Sequence, residues 1–229
     1  MAKSNLGLDT LRHSDVGRGL DEETLEQVLD LGQMQRFQPG EEILRQFGQA
    51  DAVYLPCSGM VMVERSSLNG RRQVIDFLHQ GDYLGFTATD TYLYSATALE
   101  PCYMLRFQRR KFSALCDEIP PLKENVSWIN NRVLAGLLDH LFAIGQKRAH
   151  ERLAFLIQQL HLRHGKPAPG SVIALPMSRT DIGDYLGLTL ETTSRAFSRL
   201  RKEQVISTPD HHSVVIENQA LLDELAEVD

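Results

Sequence analysis

Met177-Ser-Arg-Thr-Asp-Ile-Gly-Asp-Tyr-Leu-Gly-Leu-Thr-Leu-Glu-Thr-Thr-Ser-Arg-Ala-Phe-Ser-Arg-Leu-Arg-Lys202 reads as two short helices joined by a tight turn. Ser178 caps the first helix, and Asp181, three residues on, approximates the partner of a capping box. Ile182, Tyr185 and Leu186 fall at i, i+3 and i+4 and bury one face. Gly187 ends the helix, since glycine alone enters the left-handed position after a helix without steric cost. Thr189 caps the second helix, in which Ala196, Phe197 and Leu200 point inward. Glu191, Thr192, Ser194, Arg195, Arg199, Arg201 and Lys202 then look outward. A surface helix that opens on acceptors and hydroxyls and continues with four cations suits a DNA major groove.

The plain alternative is a helical hairpin with a solvated, charged outer face, and local charge weighs against it. From His140 to Lys202 there are ten Lys/Arg and four Asp/Glu, a balance of +6; the remainder holds 14 basic and 26 acidic residues, −12. An acidic chain with one strongly basic segment carries the footprint of a localised phosphate-binding surface.

At 229 residues, with 42% apolar and 24% charged residues, the chain fits two globular domains of ordinary size. It contains no run of 18 apolar residues and its N-terminus lacks the apolar core of a signal peptide, so a cytoplasmic location without a membrane partner is expected. Cys57, Cys102 and Cys116 are few, odd in number and far apart. They speak against a disulfide framework or a CxxC metal site, and each reads as a small buried hydrophobe. No metal ligand set stands out. No phosphate-cradling glycine loop, HExxH, GxSxG or pair of catalytic carboxylates occurs, so the chain does not read as an enzyme.

Outward from the opening stretch, residues 1–20 read as a loose, flexible polar arm. Leu20–Leu31 forms a short amphipathic helix with Leu25, Val28 and Leu29 on one side. Residues 21–121 otherwise show many short strands punctuated by Pro39-Gly40, Ser58-Gly59, Gln80-Gly81-Asp82 and Gly85. Asn69-Gly70 marks a hairpin between Met60–Arg65 and Arg72–Leu78. Such spacing indicates an antiparallel β-barrel or sandwich. Residues 122–147 read as one helix whose apolar residues, Val126 to Ile144, wrap more than one face. It therefore has two surfaces to cover, one against the sheet domain and one against a second copy. Gly136 and Ala143, both small, permit close helix approach. Residues 148–229 give a helix (Glu151–Arg163), a surface loop (Gly165–Gly170), a strand (Val172–Leu175), the helix pair and a hairpin around Pro209-Asp210-His211-His212. That order is a winged helix-turn-helix, and the whole is α+β.

Sheet domain, long helix and winged helix, in that order, resemble the CRP/FNR family of bacterial transcription regulators, over roughly residues 20–225. The fragment Met177–Arg195 carries the resemblance most specifically. Arg72-Gln-Val-Ile-Asp-Phe, Gly81-Asp-Tyr-Leu-Gly-Phe and Glu151-Arg-Leu-Ala-Phe-Leu also look like the FNR/FixK branch. The branch motif E-x-x-S-R is met by Glu191, Ser194 and Arg195. The resemblance implies that Arg195 contacts a guanine, Glu191 a cytosine amino group and Ser194 a thymine in a TTGAT-like half-site. The chemistry agrees, since arginine matches the paired acceptors of guanine and a carboxylate accepts from cytosine N4. Leu190 stands where the CRP branch has an arginine, which favours the FNR-type palindrome TTGAT-N4-ATCAA.

By the same resemblance Ser178, Arg179, Thr189, Thr192 and Arg199 are expected at DNA phosphates. Ile129, Arg132, Gly136, Asp139 and Ala143 are expected at a homodimer interface, with Asp139 placed like an aspartate that restrains dimerisation by like-charge repulsion. The implied function is a homodimeric activator that works with RNA polymerase on low-oxygen or nitrogen-oxide respiratory genes. Cyclic nucleotide binders of the family carry Gly-Glu and Arg-Ser or Arg-Thr, whereas this chain has Gly85-Phe86 and Tyr94-Ser95. Without that glutamate and arginine, burial of a cyclic phosphate is electrostatically costly and cyclic AMP is not expected. The iron–sulfur sensors of the family hold a cluster through N-terminal cysteines and one internal cysteine. This chain has none before Cys57, and Leu105 stands at the internal position, so no cofactor is expected. The alternatives are a haem- or small-ligand-gated, nitric-oxide-sensing regulator, with His13, His79 or His140 as candidate haem ligands, or a cyclic-nucleotide-binding regulatory module.

Overall fold

The computed structural model describes residues 2–163 and 170–227, and the side chains of all these except residues 2–4. The surface loop expected at Gly165–Gly170 thus lies, save for Gly170, outside the described residues. The chain divides into two units, Met1–Leu134 and Ala135–Asp229.

The first unit holds α1 (Ala2–His13), α2 (Glu22–Leu31), seven strands, α3 (Arg109–Glu118) and the first half of α4 (Pro120–Gln146). The strands are β1 (Gly32–Phe37), β2 (Glu42–Leu44), β3 (Ala52–Ser58), β4 (Val61–Ser66), β5 (Arg72–Leu78), β6 (Ser95–Ala98) and β7 (Cys102–Gln108). They form two antiparallel sheets of order β1-β7-β3 and β2-β6-β4-β5. The hairpin expected at Asn69-Gly70 joins β4 to β5, and Gly70 takes a positive φ of 77° there.

β3 and β7 are buried on both faces, and the two-residue period of a strand sorts their side chains into two cores. Ala52 and Tyr54, with Cys102 and Met104, enter a cluster shared with Val61, Val63 and Ala96 of the other sheet. Val53, Leu55 and Cys57, with Leu105 and Phe107, enter a second cluster. That second cluster is completed by helices, through Leu11, Leu25, Val28, Phe112, Leu122 and Ile129.

The loose arm expected over residues 1–20 is corrected. Residues 2–13 are helical, and Leu11 and Val16 are fully buried. Gly7 lies so close to Leu29 and Leu105 that a Cβ there would stand 2.9 Å and 3.3 Å from their side chains. Asn125 of α4 donates from its amide to the carbonyls of Val16 (3.1 Å) and Arg18 (2.8 Å). The segment reads as polar because only one face of α1 is buried, and its Leu6, Leu8 and Leu11 do not follow a regular helical stripe.

The interface set expected on α4 is corrected at two positions. Ile129 and Ala143 are each 1% exposed, inside the first and second unit respectively. Their side chains are consumed by the chain's own cores and cannot form a seam with a second copy. Arg132 is engaged within its unit: its guanidinium pairs with Asp15 at 2.5 Å and Asp82 at 3.4 Å and lies 5.3 Å from the Trp128 ring. Gly136 faces open space and Asp139 is half-buried. α4 leaves Trp128 exposed in its first half and, further on, Leu134, Leu137, Leu138, Leu141 and Phe142, with Leu138 at 58% and Leu141 at 66%. Leu134, Leu138 and Leu141 follow the alternating four- and three-residue step of a coiled-coil seam.

The second unit holds the rest of α4, α5 (Ala149–Arg163), β8 (Val172–Ala174), α6 (Arg179–Leu186), α7 (Leu190–Lys202), β9 (Ile206–Ser207), β10 (Ser213–Ile216) and α8 (Gln219–Ala226). The small sheet runs β8-β10-β9. No helix among the described residues is long and apolar enough to cross a membrane.

If α1 belongs to the fold, Leu11→Ala removes a fully buried side chain and lowers unfolding stability by about 2–5 kcal/mol. Urea unfolding of the two proteins measures it; a free arm would leave the midpoint where it is.

Candidate nucleic-acid interface

The local chemistry of the opening stretch is realised in full. The Ser178 hydroxyl accepts from the Asp181 amide (3.1 Å) while the Asp181 carboxylate accepts from the Ser178 amide (3.0 Å), a reciprocal capping box. Gly187 adopts φ 64°, ψ 38°, the left-handed cap that ends α6. Gly183 sits against the turn, where a Cβ would meet the Leu188 carbonyl at 2.8 Å and the Thr193 hydroxyl at 3.1 Å. The Thr189 hydroxyl caps α7 by accepting from the Thr192 amide at 3.2 Å. Thr193, Ala196, Phe197 and Leu200 form the buried side of α7, and its other face is open.

On that face the residues expected to read bases stand together. Glu191, Ser194 and Arg195 are all exposed. The Arg195 guanidinium donates to the Thr192 hydroxyl at 3.1 Å, and that oxygen also accepts from the Thr189 hydroxyl at 3.1 Å. The arginine is thus held at the N-terminal end of α7 before any ligand arrives. Glu191 has its carboxyl held below the usual range, first by a backbone N–H, then by the Thr189 hydroxyl and by the charge of Arg195. It is therefore an ionised acceptor at neutral pH, the form that takes a hydrogen bond from an amino group.

The residues expected at phosphates are placed less uniformly. Ser178, Thr189 and Thr192 sit at the starts of α6 and α7, where unpaired amides and the helix dipole favour anions. Arg199 is paired with Glu203 at 2.8 Å on a half-exposed site, a contact worth little and easily exchanged. Arg179 points inward, its guanidinium carbon 3.4 Å from the centroid of the Phe197 ring. Two outward contacts were not singled out from sequence: Arg201 donates to the hydroxyls of Thr208 and Ser198, both at 3.0 Å. The first ties the last turn of α7 to the wing, and the second lies within α7 itself. Within the wing the Asp210 carboxylate accepts from the Ser213 hydroxyl (2.8 Å) and the His212 amide (2.7 Å) and is held below its usual pKa by both.

The sheet domain does not offer the chemistry a cyclic phosphate needs. The Tyr94 phenol accepts from the Gly85 amide at 3.1 Å, and burial pushes its pKa up to about 12, so the group beside that glycine is neutral. The Ser95 hydroxyl accepts from the Gln46 amide at 2.9 Å. The Arg109 guanidinium is committed to the carbonyls of Thr87, Thr89 and Ala50. These residues do not fit a buried cyclic phosphate. They do not fit a thiolate-held cluster either. Cys57 and Cys116 lie in one core and Cys102 in the other, and Leu105 is packed beneath Gly7. Burial drives all three thiols up, Cys102 and Cys116 to about 11. Of the histidines considered for haem, His140 is buried with its ring stacked 3.9 Å from Tyr185 and its Nε2 2.8 Å from the Tyr185 carbonyl. His13 is exposed, with Nδ1 bonded to the Asp9 carbonyl at 2.9 Å.

Comparison with known proteins agrees with this layout. Residues 34–118 match the cyclic nucleotide-binding domain family and residues 151–225 the Crp-like helix-turn-helix domain family. The chain is 32% identical over 217 residues to the nitrogen fixation regulation protein FixK of Azorhizobium caulinodans, covering 92% of this chain and 88% of that protein. It is 27% identical to the transcriptional activator protein FnrL of Cereibacter sphaeroides, covering 93% and 88%. Its fold matches the structure of FixK2 from Bradyrhizobium japonicum with a TM-score of 0.80 and 29% identity, over 86% of this chain and 98% of that one.

The raised, buried thiols carry a simple consequence. Iodoacetamide at pH 7.5 should leave Cys57, Cys102 and Cys116 unmodified in the native protein and label all three in denaturant, read by mass spectrometry. Rapid native labelling of any one would mark it as a reactive thiol.

Proposed function

Because this chain belongs to the CRP/FNR family of transcription regulators, we propose that it binds DNA as a homodimer at a TTGAT-N4-ATCAA-like palindrome. In this reading it activates low-oxygen or nitrogen-oxide respiratory genes together with RNA polymerase. The observation that carries the reading is the exposed trio Glu191, Ser194 and Arg195, with Arg195 already oriented by Thr192. A guanidinium held toward the groove matches guanine O6 and N7, an ionised Glu191 accepts from cytosine N4, and the Ser194 hydroxyl serves the thymine. Ser178, Thr189 and Thr192 at the helix starts favour flanking phosphates, and Arg199 would exchange Glu203 for a phosphate.

The exposed stripe Leu134, Leu138 and Leu141, with Leu137 and Phe142 beside it, supports the homodimer. A two-fold pair of such helices buries the stripe in a parallel seam, and two recognition helices then address two half-sites about one helical turn apart. Asp139, next to Leu138, would bring like charges together across that seam. The activator role is that of the relative FnrL, a transcriptional activator protein. Since the residues of the sheet domain fit neither a cyclic phosphate nor a thiolate cluster, binding should need neither.

A gel shift with protein purified in air, without iron or cyclic AMP, should retard a TTGAT-N4-ATCAA duplex and leave a scrambled one. Arg195→Ala should cost about 1–3 kcal/mol of discrimination at the guanine position, whereas Arg199→Ala should weaken all sequences alike. In sedimentation, Leu138→Glu should give monomer and Asp139→Ala a tighter dimer. Binding that requires anaerobic iron or a cyclic nucleotide would contradict the reading.

A further inference from the structure

Arg179 is an arginine in a place that costs charge. It is the first residue of α6, where the helix dipole disfavours a cation. Its guanidinium carbon lies 3.4 Å from the centroid of Phe197, a ring on the buried side of α7 that is itself 2% exposed. Its Nη1 is buried with no hydrogen-bond partner. Burial and the nearby charge of Arg201 both work against its protonated form. Arg195 and Arg199 are exposed on the outer face of α7, whereas Arg179 is only partly exposed. A leucine or methionine would cover Phe197 without the electrostatic cost. What the guanidinium adds is a flat, rigid cation lying over an aromatic ring, a planar contact that neither an aliphatic chain nor a lysine reproduces.

We propose that Arg179 is a positioning residue for base readout. Its stack on Phe197 fixes the inner side of α7 against the first turn of α6 and so aims Glu191, Ser194 and Arg195 at the groove. The stack joins the two helices at a point that the Gly183–Thr193 approach leaves uncontrolled. One contact sets the distance between the helices, and the second sets the rotation of α7 about its axis. The proposal rests on the reading of Glu191, Ser194 and Arg195 as the base-contacting face.

The test separates positioning from phosphate contact. Full-length wild type, Arg179→Ala, Arg179→Lys, Phe197→Leu and the Arg179→Ala/Phe197→Leu double variant are titrated by fluorescence anisotropy. The duplexes are the TTGAT palindrome and a scrambled one, at several salt concentrations. Should wild type show no preference for that palindrome, the series runs on sequences that wild type enriches from a random library. A failed site assignment is thereby kept apart from a failed role for Arg179.

Positioning predicts that both Arg179 variants and Phe197→Leu lower the cognate-to-scrambled ratio by about tenfold, within the usual range for a lost base contact. It also predicts unchanged scrambled-duplex affinity and salt slope, and a double variant no worse than either single one. A salt slope reduced by about 0.9 per lost contact and rescued by lysine would make Arg179 a phosphate contact and overturn the proposal. Additive losses in the double variant would overturn it too. So would cognate and scrambled binding falling together with the circular dichroism melting point, since the residue would then serve stability alone.

Discussion

The close approach of α6 and α7 is the constraint on which the outward face of α7 depends. No side chain fits at Gly183, because the Leu188 carbonyl and the Thr193 hydroxyl already occupy the space. Gly187 must turn left-handed to bring the chain back at that distance. Thr193, fully buried, donates its hydroxyl to the Thr189 carbonyl at 3.0 Å and so makes no unsatisfied demand on the contact. With the inner side of α7 fixed by Thr193, Ala196, Phe197 and Leu200, the helical period leaves Glu191, Ser194 and Arg195 outward. The chemistry of the site follows from that packing. A basic helix alone would bind phosphate; a basic helix held at one rotation can read base edges.

This part of the molecule was legible in sequence because each local signal agreed with the next. Capping residues, a glycine at the C-cap and an amphipathic period specify the same two helices, and no long-range contact is needed to place them. The Asn-Gly hairpin and the run of short strands were legible for the same reason. Three helices were not. α1, α3 and α8 each bury little of their surface, and α3 opens on Arg109-Arg110-Lys111 with only Phe112 and Cys116 buried. Their helicity is decided by the sheet or helix they cover, which single-sequence periodicity does not report.

The long helix shows the same limit from the other direction. Its apolar residues announced two contacts, yet which residue served which contact depended on the rotation of the helix, fixed by tertiary packing. Ile129 and Ala143 went to the chain's own cores, while Leu134, Leu138 and Leu141 stayed outside. In the sheet domain, departures at single positions mattered more than the fold. The architecture is that of a cyclic nucleotide-binding domain, but Tyr94, Ser95 and Arg109 spend their polar atoms on the chain's own backbone. A shared fold does not carry a ligand with it; the side chains at the site decide.

Methylation interference tests the central claim, that Arg195 on this rigid face reads a guanine from the major groove. Methylating guanine N7 removes one of the two acceptors a bidentate arginine uses, without altering the sequence. Duplexes methylated at the half-site guanine should be excluded from the complex with wild-type protein. This exclusion should disappear with Arg195→Ala, and methylation of adenine N3, in the minor groove, should have no effect. Interference confined to the minor groove, or guanine interference that survives in Arg195→Ala, would contradict the claim.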